Sequence, residues 1–163
     1  PISGDDRLLE EVRKGVTAAE MLEAGRRLVE AGMNLSSMIL LGLAGRGPRS
    51  REHALATAAI TNEMKPHYLA ALTITPVPGT VLHRKMQSGM FELPDAFETL
   101  EEMKILFENL TVDGMKFVGI HASNYLPING TLQKDRGKML ATINSVLESR
   151  DESLIRSEQM RGL

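Results

Sequence analysis

The chain has 163 residues, 19 Lys plus Arg against 21 Asp plus Glu, a formal net charge of -2 and no cysteine. That length suits one domain, the scattered basic residues argue against a nucleic-acid or anionic-membrane partner, and the absence of cysteine excludes a disulfide, a thiolate metal site and a thiol nucleophile from this chain. No apolar run approaches the roughly 20 residues of a membrane helix and no basic-then-apolar leader opens the sequence, so a soluble, cytoplasmic protein is the expectation.

The opening Pro1-Ile2-Ser3-Gly4-Asp5-Asp6 reads as a loop running straight into a helix, without an initiator Met, as in a piece of something longer. Asp5 or Asp6 caps a short helix with Leu8, Leu9 and Val12 on its apolar face, and Gly15 is its stop. Thr17 and Glu20 form a capping box, each side chain satisfying the other's free backbone N–H. The helix they open carries Met21, Leu22, Gly25, Leu28 and Val29 on one face and ends at Gly32.

The most apolar stretch, Ser37-Met38-Ile39-Leu40-Leu41-Gly42-Leu43-Ala44-Gly45, reads as a strand buried on both faces. Gly42 and Gly45 let the backbone turn, or approach a ligand closely, where that strand ends. Ser50 is expected to cap the next helix, with Leu55, Ala58, Ala59 and Asn62 along its buried stripe and Pro66 closing it. Residues 67–75 form a second strand that runs into Pro76-Val77-Pro78-Gly79-Thr80, a rigid, nearly extended loop with exposed carbonyls. A short helix follows over residues 81–88. Asp95 with Glu98 then opens a longer helix with Phe97, Leu100, Met103, Phe107 and Leu110 inward; its Glu101-Glu102 patch, like Glu10-Glu11, reads as a solvated face.

Residues 115–120 form a third strand ending in His121-Ala122-Ser123-Asn124-Tyr125, polar residues at the carboxyl end of an apolar strand. Residues 126–133 are a turn-rich crossing. From Lys134 a final helix buries Met139, Leu140, Ile143, Val146 and Leu147. The organisation is one unit over residues 1–148 and a charged, frayed tail over residues 149–163. Three strand-loop-helix units in succession predict an α/β fold of parallel strands joined by right-handed crossovers. A closed eight-stranded barrel needs about 250 residues, so the chain is either a compact open α/β domain or about half a barrel, and the abrupt start favours the half.

Three separate segments carry a resemblance: Ser3-Gly4-Asp5-Asp6-Arg7-Leu8-Leu9, then Met38 through Gly45, then Leu72-Thr73-Ile74-Thr75-Pro76-Val77-Pro78-Gly79-Thr80. In order and spacing they resemble the second half of a radical S-adenosylmethionine (SAM) enzyme of the Elp3-like type, and residues 121–127 are similar to the ending of one uncharacterised subgroup. The resemblance implies a fold of three or so parallel βα units, half of a partial (β/α)6, TIM-like barrel. In the family the first half holds three cysteines that bind a 4Fe-4S cluster, and the whole is an oxidoreductase that cleaves SAM reductively.

Carried over residue by residue, the resemblance puts Ser3 and Gly4 near the methionyl and ribose groups of SAM, although Ile2 stands where a Glu is usual. It places Leu41, Gly42 and Gly45 against SAM through apolar and backbone contacts, and Thr75, Pro76 and Val77 beside the adenine. Arg46 stands where some members have an acidic residue. His121, Ser123 and Asn124 are expected to face a substrate, with His121 a weak candidate for acid or base work. His53 and His83 read as surface residues, and no histidine or carboxylate set reads as a metal site.

The parent protein is thus expected to use SAM and a 4Fe-4S cluster, whereas this chain binds neither cluster nor metal and is silent alone. Its unsatisfied barrel edges favour pairing with another copy or aggregation. Two other readings stand beside it: a non-catalytic α/β protein-interaction module, and a small enzyme whose anionic substrate is held by Arg46 and Arg49.

Overall fold

The computed structural model describes residues 1–162. Helix α1, Asp6–Glu11, is capped by Asp5, whose side chain accepts from the Leu8 N–H. The neighbouring Asp6 accepts instead from the Ala18 N–H at 2.7 Å and ties down the start of α2, Ala18–Glu30, where the Thr17–Glu20 capping box forms in full. Strand β1, Ser36–Leu41, leads to α3, Pro48–Met64; β2, Tyr68–Thr73, leads to α4, Val81–Gln87, and to α5, Ala96–Asn109. Then come β3, Lys116–Gly119, β4, Ile128–Thr131, and α6, Arg136–Ser149, with two 3-10 turns, Glu152–Leu154 and Glu158–Met160, in the final segment.

The strands make one open sheet in the order β1-β2-β3-β4. The first three are parallel, with Ser36 opposite Tyr68 and Tyr68 opposite Lys116, while β4 runs antiparallel to β3. Residues 126–133, expected to be a turn-rich crossing, therefore supply a fourth strand. Its NGT stretch lacks the apolar alternation that marks a strand, and it is held by ladder bonds to β3 and by α6 packed against it.

Helices α3, α5 and α6 pack on one face of the sheet, whereas α4 packs through Leu82 in a separate cluster with Leu40. Ile39, Leu41, Leu69, Ala71 and Phe117 from the strands share one core with Ala58 of α3, with Leu100, Met103, Leu106 and Phe107 of α5, and with Met139, Ile143 and Val146 of α6. Phe107 and Phe117 meet edge to face at the centre, ring centroids 4.6 Å apart, a geometry aromatic quadrupoles favour.

The opposite face is open: Met38 is 44% exposed, Val118 37% and Ile120 58%. Strand β1 is thus buried on one face only, against the expectation of two, because no helical layer covers its other side and its residues alternate exposed and buried. Adding each new parallel strand on the same side of the last is what right-handed crossovers in unbroken order produce.

Two local expectations are corrected. Helix α3 starts two residues before Ser50, with Gly47 in the N-cap position and Pro48 in the first turn, and Ser50 turns inward to a carboxyl instead of capping. The buried stripe of α3 is His53, Ala54, Thr57, Ala58, Ile60, Thr61 and Met64, rotated away from Leu55, Ala59 and Asn62. In the final segment, Arg156 and Arg161 bond across the loops that follow β2 and β3.

Candidate functional site

In parallel α/β sheets the loops beyond the carboxyl ends of the strands are where ligands sit. At that end of β1 and β2 the structure encloses a cavity of about 560 Å³, whose lining includes Leu8 and Val12, Leu40, Leu43 and Ala44, Ile74, and Leu82. Leu8, Leu43 and Ile74 form a small apolar cluster of their own, apart from the main core, with Leu40, Ala44, Leu82 and Leu93 around it. Arg13 and Lys85 stand at its rim beside Arg46 and Arg49. A larger recess of about 700 Å³ opens at the amino ends of β2 and β3, where Asn62 is already committed to Asn109 O and to the Thr111 N–H.

The residues expected to meet SAM divide by what their atoms already do. The Ser3 side chain is buried and accepts from the Asp5 N–H, and a Cβ on Gly4 would collide with the backbone of Ala56 in α3. Leu41 points into the helix-covered core. Gly42 and Gly45 both hold positive φ, 79° and 76°, with the Gly45 N–H donating to Gly42 O in a tight turn. A Cβ on Gly42 would touch Ile74 and Pro94, and one on Gly45 would touch Phe91, so both glycines serve turn and packing. Thr75, Pro76 and Val77 remain on the accessible side. Among the described residues, the Thr75 and Pro76 carbonyls accept no backbone hydrogen bond, whereas Val77 O is taken by Thr80.

Of the three residues expected to face a substrate, only His121 is exposed. Ser123 is buried and its hydroxyl oxygen accepts from the Thr73 N–H at 3.0 Å. His121 Nδ1 lies 2.9 Å from that hydroxyl and accepts from the Ser123 N–H, which assigns the ring proton to Nε2. Asn124, fully buried, takes the Thr73 hydroxyl on Oδ1 and donates from Nδ2 to Ala71 O and Gly119 O. Asn124 is a bolt between the ends of β2 and β3, and what remains for chemistry is the outer edge of His121.

A buried polar group escaped the sequence reading. Glu102, expected on a solvated face, is 2% exposed, as is His53, expected at the surface. One Glu102 oxygen accepts from the Gly42 N–H and the Ser50 hydroxyl, each at 2.9 Å, and the other lies 2.9 Å from His53 Nδ1. This carboxyl ties the glycine turn after β1 to α3 and α5. The available signal was spacing: Thr99, Glu102, Met103 and Leu106 share the inward stripe of α5.

Charge around the cavity is largely matched. Arg46 reaches Glu98 at 2.8 Å, Glu92 at 2.6 Å and Asp95 at 3.4 Å, and the hydrogen bonds it donates to Glu98 and Glu92 push its pKa further up. Arg49 pairs with Glu11, whose hydrogen bond likewise raises its pKa. Both guanidiniums already pair with carboxylates.

On the β2–β3 side, Arg156 Nη1 donates to the carbonyls of His121, Ala122 and Asn124. Arg161 donates to Ile74 O, the Thr75 hydroxyl, Ser123 O and the Tyr125 hydroxyl, pairs with Glu158, and stacks 4.2 Å from the Tyr125 ring centroid. Burial, then the hydrogen bond to Glu158, pushes the Tyr125 phenol up to about 12. Burial works against ionisation of Glu158, yet the Tyr125 hydroxyl and Arg161 together hold its carboxyl below the ordinary range.

Among the described residues no group of three or more His, Asp or Glu is placed to hold a metal, and no helix is long and apolar enough to cross a membrane. Fold and site together define an α/β protein with a one-sided, mostly parallel sheet and an apolar cavity at its carboxyl end. Compared with protein-family models, curated proteins and solved structures, the chain gives no match.

Proposed function

We propose that this chain is the second half of a partial, TIM-like radical SAM barrel and forms part of its SAM-binding wall. The observation that carries the reading is the one-sided sheet: β1, β2 and β3 wind in one direction, α3 and α5 pack on one face, and the other face exposes Met38, Val118 and Ile120. A half-barrel has this form, because its inner face awaits the missing strands. The Ile2 N–H supports the same reading, since it donates to Met38 O at 2.7 Å on the edge of β1 away from β2, where a preceding strand of the barrel would run.

The residues present fit the adenosyl part of SAM. Leu43, Ile74 and Leu82 offer an apolar slot, and the free Thr75 and Pro76 carbonyls offer acceptors for the adenine amine. In the parent enzyme SAM bound at a reduced 4Fe-4S cluster supplies the 5'-deoxyadenosyl radical that takes a hydrogen atom from a substrate. The cluster does not fit this chain, which has no cysteine. What the chain contributes is orientation and exclusion of water on one side of the ligand.

The test is nuclear magnetic resonance of the isotope-labelled chain titrated with SAM. Shifts confined to Leu43, Ile74, Thr75, Val77 and Leu82 are expected, and shifts elsewhere or none at all overturn the reading. Through the open face two copies pair in solution; light scattering that shows a monomer at high concentration would count against pairing.

A further inference from the structure

We infer that residues 151–162 are a strap that shapes the ligand mouth, with Arg161 as the positioning residue for the loop after β2. Its functional meaning rests on the SAM-site reading above, but the strap itself stands on separate geometry. Arg161 is 86 residues beyond Thr75 in sequence, yet its Nη2 lies 3.0 Å from Ile74 O and 3.2 Å from the Thr75 hydroxyl. The Nε of the same guanidinium lies 2.6 Å from Ser123 O in the loop after β3. One planar fork therefore links the ends of two parallel strands, a task that needs several donors in fixed directions.

The arrangement is built rather than incidental. The Arg161 side chain is 5% exposed, its charge is met by Glu158 at 2.7 Å, and its flat face lies on Tyr125. Three further bonds anchor the strap on either side: the Arg156 N–H to Tyr125 O at 2.7 Å, Arg156 Nη1 to Asn124 O at 2.6 Å, and the Gly162 N–H to Ala122 O at 3.3 Å. The loops have strand bonds of their own, Ile74 N–H to Leu41 O and Asn124 to Ala71 O and Gly119 O, and the strap adds a direct side-chain link from residues 74–75 to Ser123 O. With Ile74 O and the Thr75 hydroxyl taken by Arg161, the next two carbonyls, of Thr75 and Pro76, are left for the ligand. The strap thus sets which acceptors the mouth presents.

Arg161→Lys tests this, because lysine keeps the charge but cannot serve both loops at once. Hydrogen exchange of the protein alone should become roughly tenfold faster or more at residues 73–77 and 121–125 together, with β1 and α5 unchanged. Arg156→Lys should loosen residues 121–125 and leave 73–77 as they are. Faster exchange confined to residues 152–162 in the Arg161 variant, or no change at all, overturns the inference. If the loops loosen as expected while wild-type protein shows no SAM-induced shifts, the strap stands and the SAM-site reading falls.

Discussion

Glu102 is the single side chain on which the turn after β1 hangs, and its removal has a calculable cost. Glu102→Ala leaves the Gly42 N–H and His53 Nδ1 without their partner inside the protein. Each orphaned buried donor costs about 1–3 kcal/mol, so the expected loss is ~4 kcal/mol, a large part of the ~5–15 kcal/mol that holds a domain together. At roughly 2–4 °C per kcal/mol for a chain of this size, the melting temperature should fall by about 8–16 °C. Urea unfolding followed by circular dichroism measures the same quantity independently of temperature.

The control is adjacent. Glu101 is exposed on the same helix, and Glu101→Ala should stay within about 0.5 kcal/mol of wild type. Glu102→Gln should fall between the two, since an amide can accept from Gly42 but cannot also accept from His53. A Glu102→Ala protein no less stable than Glu101→Ala would refute the network as a stabilising unit, and a double-mutant cycle with His53→Ala would then show no coupling.

Other outcomes follow from the same packing. Gly4→Ala places a Cβ against the Ala56 backbone, which cannot yield as a side chain can, so expression as insoluble protein or a melting temperature lower by roughly 10 °C or more is expected. Gly137→Ala, in the first turn of α6 with nothing within 4 Å of the added Cβ, should stabilise by about 0.5 kcal/mol, read as a small rise in the same melt.

The strap also predicts a pH dependence at both ends of the scale. Tyr125 keeps its proton in the folded state up to about 12, against 10 when unfolded. Above pH 10 the unfolded chain therefore binds fewer protons than the folded one, and stability should fall between pH 10 and 12, a fall that Tyr125→Phe should flatten. Glu158, held below its ordinary 4.5, contributes above that value and loses its contribution as pH drops through the lower folded value, so limited proteolysis at Arg156 and Arg161 should begin in acid before the core unfolds.

Elements with strong local signals were legible. The Thr17–Glu20 and Asp95–Glu98 boxes, the three apolar strands and the inward face of α5 all appear where short-range pattern places them. Residues whose environment is made by distant chain were not. His53 and Glu102 are charged-looking helix residues until α3 and α5 pack together and bring them to 2.9 Å. Strand β4 owes its state to pairing with β3, and Arg161 owes its burial to loops far back in the chain. At the carboxyl end of the sheet, Ser123 and Asn124 spend their polar atoms on backbone, which no local pattern reveals.

The antiparallel β4 gives the sheet a direction of growth. At the β3 side a four-residue strand reversed in polarity closes the ladder, and a short edge is a poor template for further pairing. At the β1 side the six-residue edge is parallel in sense to its neighbours and already bonded by Ile2. The two edges therefore differ in length and in sense, and the longer, parallel edge of β1 is the one that offers more backbone groups for a further strand.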